Sequence, residues 1–236
     1  MIQLRKAEDR GHADRGWLNA NFSFSFADYR DPRHMGFRVL RVLNDDRIAA
    51  GKGFGPHAHR DMEIVTYVLE GGLLHRDSTG EQHILRPNEV QTMSAGSGII
   101  HSEFNASETE PVHSIQIWIE TAQEDLPPSY QQIAFSPAER RGRFRLLAGP
   151  KVSGSELATT INQDASIYAA ELAPGENLKR PLTAGRYSWI QVLRGNLEMN
   201  GHELKEGDGA SVSAERELSF EGAGSTGSEF LFFDLP

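Results

Sequence analysis

Two short runs place metal-ligating side chains two residues apart: His57-Ala-His59 and His101-Ser-Glu103. Side chains on an extended segment alternate faces, so each run turns both of its polar groups to one side. If the two segments neighbour one another in a sheet, three imidazoles and a carboxylate converge, a donor set suited to a divalent transition metal held on rigid elements. Cysteine is absent, which excludes disulfides, thiolate sites and cysteine nucleophiles and leaves His, Asp and Glu as candidate ligands. Glycines precede both runs, Gly51, Gly53 and Gly55 with Pro56 before the first and Gly96 and Gly98 before the second. Both stretches read as bends that let backbone pass close to a site.

The remaining histidines read differently. His75 and Asp77 lie on a strand or hairpin and are assigned structural hydrogen bonds. His113 precedes Ile115, Ile117 and Ile119 and is expected to be buried and hydrogen-bonded. His12, His34, His83 and His202 sit in polar stretches and are expected at the surface. Phe22, Phe24 and Phe26 alternate, which points to core.

The elements that must carry these residues are strands. Phe37–Val42, Glu63–Leu69, Ile115–Ile119, Tyr168–Leu172, Trp189–Leu193 and Phe230–Phe233 are rich in Val, Ile, Phe, Tyr and Trp, with Gly, Pro, Asn or Asp between them. One short helix is predicted over Ser136–Arg141, with Ser136 as cap and Pro137 in the first turn. Glu63-Ile-Val-Thr-Tyr-Val-Leu-Glu-Gly71 aligns with Tyr187-Ser-Trp-Ile-Gln-Val-Leu-Arg-Gly195, and Leu85-Arg-Pro-Asn-Glu-Val with Leu204-Lys-Glu-Gly-Asp-Gly. The chain therefore reads as a duplication, with Gln123–Arg143 as its connection. Glu221–Ser228 reads as a hairpin loop, because the strand-like Phe230-Leu-Phe-Phe follows.

The 236 residues include 33 acidic and 24 basic side chains, a formal charge of −9 that disfavours direct nucleic-acid binding and anionic membrane surfaces. No run approaches the roughly 20 apolar residues of a membrane span, and the N-terminus lacks the apolar stretch of a signal peptide. A cytoplasmic address is the expectation.

Gly51-x5-His57-x-His59-x3-Glu63 with Gly71 resembles the first cupin motif, with one extra residue before the last glycine. Gly98-x2-His101-x3-Asn105 resembles the end of the second motif, with Gly96 where a proline is usual. More narrowly, Phe24-Ser-Phe-Ala-Asp-Tyr29, His57-Ala-His59-Arg-Asp-Met-Glu63, Thr66-Tyr-Val-Leu-Glu-Gly71 and Met93-Ser-Ala-Gly-Ser-Gly-Ile-Ile-His-Ser-Glu103 resemble the pirin family of bicupins, its bacterial members in particular.

That resemblance implies an all-β bicupin, two antiparallel jelly-roll barrels packed together. The N-terminal metal-binding barrel is then expected over 1–125, a connecting segment over 126–143 and the C-terminal barrel over 144–236. It also implies one metal held by His57, His59, His101 and Glu103. The general cupin pattern nominates Glu63 as the carboxylate instead; strand alternation permits either, and the pirin match favours Glu103, with Glu63 in a supporting role. Pro181, Thr183 and Tyr187 stand where the second half would repeat the ligands, so that barrel is expected to be metal-free. Iron is the first expectation for the ion, with Zn, Co, Mn, Ni or Cu also compatible.

Bacterial relatives in this family resemble quercetin 2,3-dioxygenases. The implied reaction binds a flavonol through its 3-hydroxyl, removes that proton with Glu103 as base, and opens the heterocycle with O2 and release of CO. The implied partners are thus a small phenolic substrate and O2. The alternatives are a metal-dependent pirin-type regulator that binds a protein partner, or another cupin enzyme acting on a phenol or enol.

Overall fold

The computed structural model describes residues 1–151 and 158–236. Nearly every element is a strand, as the β-branched and aromatic runs require, and among the described residues the helical turns are short 3-10 turns at Ala7–Asp9 and Pro137–Glu139. The second falls within the predicted helix. The Ser136 side chain accepts from the Ala138 N–H, and Glu139 closes a capping box on the Ser136 backbone.

The described chain forms two compact units, one of residues 11–135 and 148–163, the other of 1–10, 136–147 and 164–236. The boundaries thus differ from the expected 1–125, 126–143 and 144–236. The strand β1 (Ile2–Arg5) is close to the N-terminus, yet its partner is a strand at Gly209–Val212. Likewise Ser129–Ala134, placed in the connection, is a strand hydrogen-bonded to Glu89–Ser94. Pro127 and Pro128 punctuate the approach to that strand and do not mark a linker.

The N-terminal unit contains β2 (Gly11–Asp14), β3 (Leu18–Phe22), β4 (Leu40–Ile48), β5 (Gly53–His59), β6 (Met62–Glu70), β7 (Leu73–Asp77), β8 (Gln82–Leu85), β9 (Glu89–Ser94), β10 (Ile99–Asn105), β11 (Val112–Glu120) and β12 (Ser129–Ala134). One antiparallel sheet runs β12-β9-β6-β11-β4-β3-β2, and a second runs β5-β10-β7-β8. They face one another across a core to which the larger sheet gives Leu18, Ile48, Val68 and Val112 and the smaller gives Leu73 and Leu85. β4 starts at Leu40 and not at Phe37, because Gly36 and Arg38 take positive φ and Phe37 closes a tight turn onto Leu40.

The C-terminal unit is built on the first part of β13 (Arg145–Gly149, whose last two residues belong to the N-terminal unit and pair in parallel there with β14, Thr159–Thr160), β15 (Ser166–Leu172), β16 (Asn177–Pro181), β17 (Tyr187–Met199), β18 (His202–Lys205), β19 (Gly209–Val212) and β20 (Glu217–Leu235). Its ladder runs β1-β19-β17-β20-β15, with β16 on the first part of β20 and β18 on the end of β17. The duplication shows in the corners: Gly71 and Gly195 take φ +77 and +69, and a Cβ would stand 2.7 Å from Pro111 O and 2.0 Å from Gly227 O, so neither tolerates a side chain. Glu221–Ser228 is not a hairpin loop. It lies inside β20, and its glycines absorb a register slip in which Gly195 pairs with Ser228 and Asn196 with Ala223. Phe220, Phe230 and Phe232 fill this core together with Ile190, Val192 and Leu197.

Candidate metal centre

β5 and β10 run antiparallel with Ile99 opposite His59 and His101 opposite His57, and then the register slips so that Glu103 meets Phe54. β5 advances three residues while β10 advances two, so β5 carries a bulge at Gly55-Pro56. Proline suits a position with no ladder bond to donate, and the bulge re-aims the side chains beside it. Of the expected bends, Gly51, Gly96 and Gly98 take positive φ in turns, whereas Gly53 and Gly55 lie within β5 itself.

Ring centroids of His57 and His101 are 4.4 Å apart, and His59 stands 4.8 Å from each. One donor atom from each ring lies within 4.8 Å of the other two. On its other edge β10 pairs with β7, His101 opposite Asp77 and Glu103 opposite His75. His75, His101 and Glu103 form a second group at the same spacing, so His101 is common to both. His101, Glu103 and His75 are buried, while His57 and His59 are half-buried.

Hydrogen bonds leave the donor atoms available. His57 Nδ1 lies 2.8 Å from the Gly55 carbonyl, to which it donates, so Nε2 keeps its lone pair. His101 Nε2 is buried with no hydrogen-bond partner. An orphaned buried nitrogen costs about 1–3 kcal/mol unless something else occupies its lone pair, as a cation does. Gln116 Nε2 donates to the Glu103 oxygens at 3.1 and 2.8 Å, and Thr66 Oγ1 donates to Gln116 Oε1 at 2.9 Å.

Charge follows the same logic. Burial, with the neighbouring His57, lowers the His59 pKa to about 4. Burial, with His57, His59 and His75, lowers that of His101 to about 2. Both rings are therefore neutral at physiological pH, the form in which imidazole binds a metal. Burial raises the Glu103 pKa against the opposing pull of Gln116, His75 and His57; a cation beside it would favour the carboxylate. Imidazole nitrogens and one carboxylate fit a divalent transition metal.

Glu63 lies elsewhere. It is buried, and it accepts from Ser94 Oγ at 2.6 Å and Asn162 Nδ2 at 3.1 Å. It falls outside both ligand groups. On β6 it alternates with Ile64 and Thr66, whose side chains meet Met93 and Gln116. Its shared parity with 57 and 59 is lost where the strand breaks at Arg60-Asp61, with Asp61 at φ 48. His113 is buried against Asp45 at 2.7 Å. His12, His83 and His202 are exposed, whereas His34 is half-buried. Phe22 and Phe24 are buried, and Phe26 packs edge-on against Trp118 at 5.4 Å.

The Pirin family model matches residues 3–119, and one described as the quercetinase C-terminal cupin domain matches 146–235. A quercetin 2,3-dioxygenase of Escherichia coli K12 is 44% identical over 236 residues, covering 100% of this chain and 99% of the relative. The chain belongs to the pirin family. The crystal structure of YhhW from E. coli superposes on this pirin with a TM-score of 0.94 at 44% identity, covering 100% and 98% of the two chains. YhhW in complex with nickel(II), described as a bacterial pirin, gives 0.92 at 43%, covering 100% and 99%. A quercetin 2,3-dioxygenase from Acinetobacter baumannii shares the fold, with a TM-score of 0.78 at 22% identity over 99% of this chain and 78% of that one.

The wall behind the imidazoles of this pirin is a row that sequence reasoning missed. Asn44, Gln116, Thr66 and Gln91 stand side by side on β4, β11, β6 and β9. The signal was present in β11, where Ser114, Gln116 and Trp118 alternate with the isoleucines, so the polar set faces inward. In the C-terminal barrel Arg180 lies over the rings of Tyr168, Phe232 and Phe144, at 4.2, 5.0 and 5.1 Å from their centroids. Among the described residues both ligand groups belong to the N-terminal unit.

Proposed function

We propose that His57, His59, His101 and Glu103 hold one divalent transition-metal ion and that the protein is a quercetin 2,3-dioxygenase-like oxidoreductase. The observation that carries this is the meeting of the His57, His59 and His101 imidazoles, with His101 Nε2 an orphaned buried nitrogen and His101 also grouped with the buried Glu103 carboxylate. Full-length identity of 44% to the E. coli quercetin 2,3-dioxygenase supports the substrate class. Iron is the ion proposed first, with Zn, Co, Mn, Ni and Cu as alternatives of the same donor preference. When bound, the ion supplies Lewis-acid polarisation of substrate oxygen and electron transfer with O2.

The chain's own residues do the rest. Glu103 accepts the proton of the flavonol 3-hydroxyl, and Gln116, steadied by Thr66, aims the carboxylate and opposes its protonation before substrate arrives. The half-buried His57 and His59 set the side from which substrate enters. In the balanced reaction both atoms of O2 enter the ring-opened acid and one carbon of the heterocycle leaves as CO.

Metal content, CO release and quercetin consumption test the assignment together. Glu103→Gln is expected to lose metal and turnover, while Glu63→Gln keeps both. Metal lost only from Glu63→Gln would overturn the ligand set. Quercetin turnover unchanged in a His57→Ala, His101→Ala double variant would overturn the reaction.

A further inference from the structure

Two buried groups beside the centre take no part in the reaction as proposed. His75 and Asp77 sit on β7 with both side chains fully shielded from solvent, His75 Nε2 lying 2.8 Å from Asp77 Oδ2. A carboxylate only accepts at its hydrogen bonds, so His75 carries its proton on Nε2. Its Nδ1 is then an acceptor, and two groups face it: Gln91 Nε2 at 3.3 Å and His101 Nδ1 at 3.5 Å. His101 meets an acceptor with a hydrogen only if its own proton is on Nδ1, and its lone pair is then on Nε2, the buried nitrogen that has no partner.

We infer that Asp77 and His75 form a buried relay that fixes His101 in the tautomer with hydrogen on Nδ1, leaving Nε2 free for a divalent metal. The inference rests on the reading of His101 as a ligand. Both are positioning residues: they act through His101. The 3.5 Å contact is at the long end of hydrogen bonding, so ring packing, with centroids 5.3 Å apart, shares the orienting role.

Asp77 itself is held in one orientation. Its Oδ1 accepts from the Thr79 N–H at 2.8 Å, the Thr79 hydroxyl at 2.6 Å and the Glu81 N–H at 3.3 Å. Those three donors make Asp77→Asn a sharp perturbation. The amide oxygen stays with them, so the amide NH2 faces His75 Nε2 and requires it to accept. The His75 proton then moves to Nδ1, His101 Nδ1 becomes the acceptor, and the proton of His101 goes to Nε2, where a metal must bind.

Two measurements test the relay. Long-range 15N–1H correlation spectra of histidine-labelled, metal-free protein are expected to show hydrogen on Nε2 of His75 and on Nδ1 of His101, with both reversed in Asp77→Asn. Titration with Zn2+ or Ni2+ alone is expected to show affinity about 10–100-fold weaker in Asp77→Asn, the range for groups that orient a metal-bound histidine. Hydrogen on Nε2 of His101 in the wild-type metal-free protein overturns the inference, and so does an Asp77→Asn affinity within twofold of wild type. If Asp77→Asn fails to fold, the wild-type spectrum alone decides. Should the wild-type protein bind neither ion while the expected tautomers are seen, the ligand reading fails and the relay stands as a structural device.

Discussion

Gly53→Ala is the perturbation whose consequence the geometry fixes most directly. Gly53 opens β5, and a Cβ there would stand 2.3 Å from Glu103 O and 2.5 Å from Phe104 Cα. Carbon contacts are comfortable at about 3.5–4.0 Å, so β5 must retreat from β10 by roughly 1 Å. The neighbours are backbone of the partner strand and cannot swing away as a side-chain tip would. Overpacking of this kind costs about 1–3 kcal/mol, a fall in Tm of roughly 3–10 °C for a chain this size. The retreat parts His57 and His59 from His101 and Glu103, and functional constellations tolerate only about 0.5 Å, so metal affinity should fall by about tenfold or more. Gly55 is the internal control: it lies two residues along the same strand, and an added Cβ there meets nothing within 4 Å. Gly55→Ala should bind metal like wild type and melt at an equal or slightly higher temperature. Thermal melts of the metal-free proteins and calorimetric Zn2+ titrations read both effects. A Gly53→Ala variant that matches Gly55→Ala in both would refute the claim that close packing of β5 on β10 sets the site.

Two further outcomes follow from the polar groups inside the barrel. Gln116→Leu removes the donor shared by both oxygens of the buried Glu103, a hydrogen bond to a charged group worth about 1.5–3 kcal/mol, and should weaken metal binding about 10–100-fold in the same titration; undiminished affinity would show that Glu103 needs no aiming. Asp46 is buried, and burial first, then the charges of Asp45 and Glu103, raise its pKa well above the usual value. A raised carboxyl pKa means that the folded state holds the proton longer than the unfolded chain does, so its contribution to stability declines as pH climbs from the unfolded pKa towards the folded one. Asp46→Asn should therefore melt higher than wild type at pH 7–8 and converge with it below about pH 4; equal melting temperatures across that range would count against the burial of a charge there.

The strands and the two same-face polar pairs were legible because both obey a local rule. His57-Ala-His59 and His101-Ser-Glu103 need only alternation, and Ser136-Pro137 with Glu139 needs only capping chemistry. Glu63 shows where the local rule stops, since its parity with the histidines ends at the Asp61 turn. The compact units depart from the expected boundaries for a related reason: nothing within Ile2–Arg5 states that its partner is Gly209–Val212. Gln91, Gln116, His75 and Asp77 became a supporting shell only once two sheets faced each other, which is information about pairing and not about composition. The bulge at Gly55-Pro56 was readable as unusual sequence, but its effect, placing Phe54 opposite Glu103, depends on the register with β10.

The pairing of β1 with β19 also sets an order of events during synthesis. About 200 residues separate the two, so at roughly 5–20 residues per second the leading strand waits on the order of 10–40 s before its complement leaves the ribosome. The segment Gly11–Phe135 can close its own sheets in that interval. A sequence fused ahead of β1 would therefore burden the last step of maturation, the closing of the rear barrel, and leave the earlier-made histidine site untouched.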